Sequence, residues 1–298
     1  MIRSSRYFFL SLFISFSLGG CDKTSEEKEL WQDRTLTENF KDYWFAGEAE
    51  ITSYELIQSR YGESRDGKAV LIFVTEDFLP QIQVKADNPN DDNIPVLKLN
   101  ATKNFITGIY PYSIMQSTFF PLQGSSGALK VTASIQEWCG QVYMQLNNRN
   151  GFEIKSHSYF QSEADEELNL EESYLENEVW TQLRVDPEQL PVGDFEMVPS
   201  FEHIRIAHID IKPYKAYGEF FQDGALGVYQ IKYPELEREI RIFYQPYFPF
   251  VIEKWEESTT QNGNTFLTTG IKIESIRSDY WNKNSNNDLP LRDKLQLN

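Results

Sequence analysis

Residues that hold metals or carry redox chemistry are scarce in this chain, which has two cysteines, three histidines and four methionines among 298 residues. That leaves no material for a disulfide scaffold or for a site of clustered thiolates and imidazoles. A phosphate-binding loop is also missing. Gly124-Ser125-Ser126-Gly127 precedes a strand pattern, whereas a phosphate loop opens a helix, so it reads as a turn. No repeat of fixed period is present. Basic residues are few, 28 against 45 acidic, for a net charge of −17. A field of that sign repels nucleic acid and anionic headgroups, so no nucleic-acid partner is expected.

The apolar run near the N-terminus, Tyr7 to Leu18, is only twelve residues long. Crossing a bilayer takes about 20. Arg3 and Arg6 precede it and Gly19-Gly20 follow, which is the anatomy of a signal peptide over residues 1–20. Leu18-Gly19-Gly20-Cys21 resembles the lipobox of bacterial lipoproteins, which implies cleavage before Cys21 and acylation of its sulfur, palmitate included. Stable anchoring takes more than one acyl chain, a condition that a triacylated cysteine meets. Residues 21–40 are then expected to be the lipidated cysteine and a flexible tether, led by the charged stretch DKTSEEKE. Asp22 points to the inner membrane and Glu26-Glu27 to the outer; the expectation here is the outer membrane, with the face left open. With Cys21 lipidated, Cys139 has no partner for an intrachain disulfide.

What the chain has in plenty is aromatic side chains, 14% of residues, and segments that alternate in hydrophobicity. Ala69 to Thr75, Pro95 to Asn100, Leu129 to Ile135, Gln141 to Leu146 and Phe152 to Phe160 all read as strands. Phe201 to Ile211 (FEHIRIAHIDI) alternates almost strictly and is read as another, followed by strands near 216–221, 227–233, 239–244, 250–256 and 266–276. Asp223-Gly224 and Asn262-Gly263 are hairpin signals. Leu175, Val179, Trp180 and Leu183 recur at helical spacing, which predicts one bridging helix over 171–185. The expected fold is mainly β: a large antiparallel curved sheet, half-barrel or sandwich. It fills a domain over 41–298, with two halves joined near 162–190.

Chemistry is sought first at Glu137-Trp138-Cys139, at a turn between strands. A thiol nucleophile needs a base, and no local spacing ties His157, His203 or His208 to Cys139, so the competing reading is a core cysteine under Trp138. His203 and His208, five apart in a predicted strand, fall on opposite faces and cannot share a metal. No catalytic set, cofactor or metal is expected. Carboxylates are numerous enough for glycoside hydrolysis, but nothing in the sequence selects a pair.

Four segments together are similar to a family of Bacteroidota lipoproteins that has no assigned site: Ser59 to Glu63, Lys103 to Met115, Ser134 to Gly140 and Asp279 to Ser285. Its members often carry the name "septum formation inhibitor Maf". That name implies a nucleotide pyrophosphatase with a Ser-x-Ser-Pro-Arg-Arg-like motif, and this chain has no such segment. The resulting expectation is a lipid-anchored envelope lipoprotein, a non-enzymatic binding or assembly module for a lipid, glycan or envelope protein. The alternative is an envelope hydrolase, Cys139-dependent or carboxylate-based, acting on glycan.

Overall fold

The computed structural model describes residues 30–297. The expected signal peptide, the expected lipidation site Cys21 and the DKTSEEKE stretch lie outside them. A short helix, α1 (Glu38–Trp44), leads into nine strands: β1 (Ala49–Arg60), β2 (Glu63–Leu79), β3 (Val84–Lys85), β4 (Ile94–Thr107), β5 (Tyr110–Pro121), β6 (Lys130–Glu137), β7 (Gly140–Asn148), β8 (Phe152–Ser158) and β9 (Asp165–Leu170). Then come β10 (Tyr174–Leu175), helix α2 (Glu176–Val185), β11 (Gly193–Val198) and helix α3 (Phe201–Ala207). Five further strands close the order: β12 (Tyr214–Asp223), β13 (Leu226–Tyr233), β14 (Arg238–Tyr244), β15 (Ile252–Gln261) and β16 (Asn264–Ser278). The C-terminal helix α4 (Pro290–Lys294) follows.

All the strands belong to one sheet, mainly antiparallel, so the expected β architecture is present and the two expected halves are continuous. Its hydrogen-bonded path begins at β10, runs through β16 to β1, and ends at β9. Those two end strands are neighbours in sequence, joined by residues 171–173 alone. Three extended residues span about 14 Å between the flanking Cα atoms. The sheet must therefore roll round until its edges nearly meet, which leaves a seam between β9 and β10.

The residues explain the curvature and pairing. Buried and exposed positions alternate along β6, β7 and β8, as a rolled sheet with one filled face requires. Asn262 (φ 52°) and Gly263 (φ 76°) make the tight turn from β15 to β16. Gly270 on β16 exists for close approach: a Cβ there would lie 2.2 Å from the Trp255 ring.

Helix α2 lies inside. Glu176, Asn177, Glu178, Val179, Thr181, Gln182, Leu183 and Arg184 are all buried, so this polar helix fills the concave face of the sheet. Most of its polar groups are matched, with Gln182 Oε1 left without a partner among the described residues. Glu178 accepts from the backbone N–H of Leu175 (2.9 Å) and of Ala128 (2.6 Å), closing the helix start. Arg184 grips Glu50 through two bonds of 2.6 and 2.7 Å at the other end.

Three expectations are corrected. The bridging helix begins at Glu176, because Tyr174–Leu175 pair as a strand with β11. The alternating stretch 201–211 is not a strand but contains α3: Ser200 Oγ caps the His203 N–H at 3.2 Å, and Phe201 and Ile204 bury one face at helical spacing. The tether does not extend through 30–40. Trp31 is buried edge-on to Phe120 and Tyr174, and Arg34 donates to the carbonyls of Gly124 and Ser126 at 3.0 and 2.8 Å.

Candidate functional site

The strand directions give the barrel two distinct ends. One carries the hairpin tips near 61–62, 108–109, 138–139 and 262–263, with α3 across it. The other carries the β5–β6 connection, the start of β1 and the N-terminal segment. There Tyr174 donates to the carbonyl of Leu30 and Tyr43 donates to Glu50. The chain thus enters at the end opposite the hairpin tips.

A polar cleft of about 340 Å³ opens at the tip end, at the low end of the ~300–1,000 Å³ typical of small-ligand sites. Gln58, Arg60, Tyr61, His203, Arg238 and Phe266 are among its lining residues. Beneath it is a smaller void of about 40 Å³ between α2 and strands β4 and β15, and Glu202 and Glu257 line both.

A chain of ion pairs forms the floor. Lys103 donates to Glu202 and to Glu257, each at 2.9 Å. Arg238, fully buried, spans Glu176 Oε2 and Oε1 at 2.5 and 2.8 Å and reaches Glu257 at 3.1 Å. Gln116 Nε2 donates to Glu202 at 3.1 Å. The network ties α2 and α3 to β4, β5, β14 and β15, and leaves each floor carboxylate with a cation or amide partner.

Burial and neighbours pull the two central carboxyls apart. Burial raises both, but Lys103 and Arg238 outweigh it at Glu257 and hold that carboxyl at about 2. At Glu202 burial prevails over Lys103, with Glu257 adding repulsion, and the carboxyl titrates above its ordinary range. Burial beside Arg238 keeps His203 well below the usual imidazole value, so the ring is neutral at pH 7. Glu202 and Glu257 come no more than twice 2.9 Å apart through Lys103.

Three polar atoms in the cleft lining are buried without a hydrogen-bond partner among the described residues: Gln58 Oε1, Arg60 Nε and Arg238 Nε. Three of the four remaining guanidinium donors of Arg60 go to the Ile206 carbonyl (3.0 Å) and to the hydroxyls of Tyr61 and Tyr112 (each 3.3 Å).

Of the residues singled out in the sequence, Glu137, Trp138 and Cys139 sit at an exposed hairpin tip on this same end, not in the core. Trp138 is 69% exposed, so it does not cover the cysteine. The Cys139 N–H donates to Glu137 Oε2 at 2.6 Å. Hydrogen bonding to the same carboxylate pushes the thiol above its ordinary pKa, the reverse of what a nucleophile needs. His208 is in the left-handed conformation at the end of α3 and contacts Glu163 at 2.5 Å, while His203 lies in the cleft. Among the described residues no group of three or more His, Cys, Asp or Glu is placed to hold a metal.

The opposite end bears a groove of different character, about 590 Å³, whose walls include Val192, Phe220, Phe221, Tyr244 and Phe250. Among the described residues no helix is long and apolar enough to cross a membrane.

Fold and site together define a helix-filled, rolled antiparallel sheet with a charged floor under a polar mouth. No protein-family profile and no curated protein matches the chain. A solved structure with overall similarity is a "Beta-barrel-like Protein of Domain of Unknown Function DUF1849 from Brucella abortus". It is 8% identical, with a TM-score of 0.48, over 83% of this chain and 99% of that one.

Proposed function

We propose that this chain is a lipid-anchored envelope lipoprotein that binds a small polar ligand at the hairpin-tip end of its barrel. The observation that carries the binding reading is the open cleft of about 340 Å³, whose mouth is lined by the polar side chains of Ser59, Arg60, Thr259 and Gln261. The floor below is already matched charge to charge, which suits a rigid, pre-formed binding surface.

The anchor is supported by the leader and by geometry. Residue 30 enters at the end opposite the cleft, so acyl chains on Cys21 hold the membrane-proximal end and leave the cleft facing away. The apolar groove with Phe220 and Phe221 lies on that proximal end. The outer membrane is the assigned site because of Glu26-Glu27 in the tether.

Two measurements on the full chain test this. Growth with labelled palmitate marks the wild type and not Cys21→Ala; labelling that survives the substitution rejects the anchor. Native mass spectrometry of detergent-extracted protein retains a small-molecule adduct in the wild type and loses it in Arg60→Leu. An adduct indifferent to Arg60, or none, rejects the cleft.

A second reading, an envelope hydrolase acting on glycan, is favoured by one observation: Glu202 and Glu257 face one cleft with carboxyls shifted in opposite directions. It requires turnover of a glycan by the wild type and its loss in both Glu202→Gln and Glu257→Gln.

A further inference from the structure

The cleft discriminates among ligand chemistries through the polar side chains at its mouth. The hydroxyls of Ser59 and Thr259 and the amide of Gln261 line it, and each both donates and accepts. A carboxylate or phosphate offers acceptors only and sets its charge against Glu202 and Glu257. An ammonium offers donors only and faces two guanidinium groups. A hydroxyl both gives and accepts, and several on one small body match such a lining.

Charge leads to the same class. The floor and wall hold three cations, Lys103, Arg60 and Arg238, and three carboxylates, Glu176, Glu202 and Glu257, with His203 neutral beside them. The site is electrically balanced before anything binds, so a net charge on the ligand would go unmatched. The chain as a whole, at −17, adds repulsion for anions. Tyr61, Ile206 and Phe266 supply apolar wall, which suits the C–H face of a sugar ring.

An aromatic track then leads out of the cleft. The Tyr61 and Tyr112 hydroxyls are 2.8 Å apart. Tyr112 stacks on Phe105 at 4.9 Å and lies 6.0 Å from Tyr110, and Tyr110 lies 6.5 Å from Trp138. Tyr61 and Trp138 at its two ends are 60% and 69% exposed. A small cleft continued by exposed rings fits one end of a chain of sugar units rather than a compact metabolite.

We infer that the cleft takes the end of a neutral, hydroxyl-rich glycan, and that Tyr61, Tyr110 and Trp138 form the platform for its following units. This rests on the cleft being a binding site, and it assigns Trp138, exposed at the β6–β7 tip, a ligand-stacking role.

The test is calorimetric titration of the full chain in detergent with two sets of probes. Neutral probes are chitobiose and cellobiose with their hexamers; charged probes are oligogalacturonate and glucosamine. At least one neutral hexamer binds, its dimer binds more weakly, and the charged probes do not. Gln261→Leu weakens dimer and hexamer alike by about threefold, the consequence of one lost hydrogen bond. Trp138→Ala weakens the hexamer by about three- to tenfold and leaves the dimer unchanged. Because Trp138 is exposed, that variant folds, so its result is decisive even if a cleft variant does not fold. Equal losses for dimer and hexamer in Trp138→Ala overturn the platform. Binding of a charged probe, weakened by Gln261→Leu, overturns the glycan assignment while leaving the cleft a binding site. Neutral and charged probes all failing, with no cleft adduct in native mass spectrometry, overturns both.

Discussion

Replacing Arg184 by methionine tests whether the barrel is held by the polar helix inside it. Arg184 is 1% exposed and Glu50 2%. The guanidinium makes both bonds to Glu50, a third to the Pro249 carbonyl at 2.8 Å, and lies over Trp44 and Phe73 at 5.0 and 4.8 Å. Without it, the Glu50 carboxylate keeps the Tyr43 hydroxyl at 2.6 Å but no paired cation. Breaking such a pair from one side costs about 3–5 kcal/mol. For a chain of this size that lowers Tm on the order of 10 °C. Removing both partners, as in Arg184→Met with Glu50→Leu, returns stability to within about 2 kcal/mol of the wild type, because two desolvated charges leave together. Urea unfolding followed by circular dichroism and by tryptophan fluorescence measures all three proteins. Acid supplies a further check. Burial raises the Glu50 carboxyl, but Arg184 outweighs it and holds the group below 4.5, so its contribution is present above the unfolded value and fades as pH falls. The penalty of the single variant therefore shrinks toward pH 3. A loss below about 1 kcal/mol, or a double variant no better than the single, refutes the reasoning.

Three further outcomes follow. Burial raises the Glu178 carboxyl to about 7, so it binds its proton more tightly folded than unfolded. Stability is then fullest below about 4.5 and declines by about 3 kcal/mol as pH rises to 7, a slope that Glu178→Leu removes. Gly270→Ala drives a methyl into the Trp255 ring and costs about 1–3 kcal/mol, with a shift in tryptophan emission; an unshifted spectrum at unchanged stability argues against that contact. Cys139 reacts with a disulfide reagent in the folded protein, and Glu137→Gln speeds the reaction near neutral pH by freeing the thiol from the carboxylate that raises it; an unchanged rate contradicts that coupling.

Much of the sheet was legible because its signals are local. Alternation located β6, β7 and β8, and Asn262-Gly263 and Asp223-Gly224 marked two hairpins that the sheet contains. The same signal failed at 201–211. Ile204 and Ile206, and then Ile209 and Ile211, alternate with polar neighbours by chance, while the deciding cue was the Ser200 cap before them. Curvature of the sheet was expected, but the seam where its edges nearly meet was not legible, since it follows from β9 and β10 lying at opposite ends of one path. The cleft floor was hidden for a related reason. Lys103 meets Glu202 and Glu257 across separations of 99 and 154 residues, and nothing in a surplus of carboxylates marks those two. Trp138 was singled out for its neighbour Cys139, yet its place at the end of the aromatic track is what distinguishes it.

Hydrogen–deuterium exchange on the full chain, with and without saturating neutral oligosaccharide, tests the central claim most directly. Slowed exchange is expected only at residues 58–62, 201–207 and 257–268, the walls of the cleft. Exchange unchanged there, or slowed only around Val192, Phe220 and Phe250 at the opposite end, would contradict it.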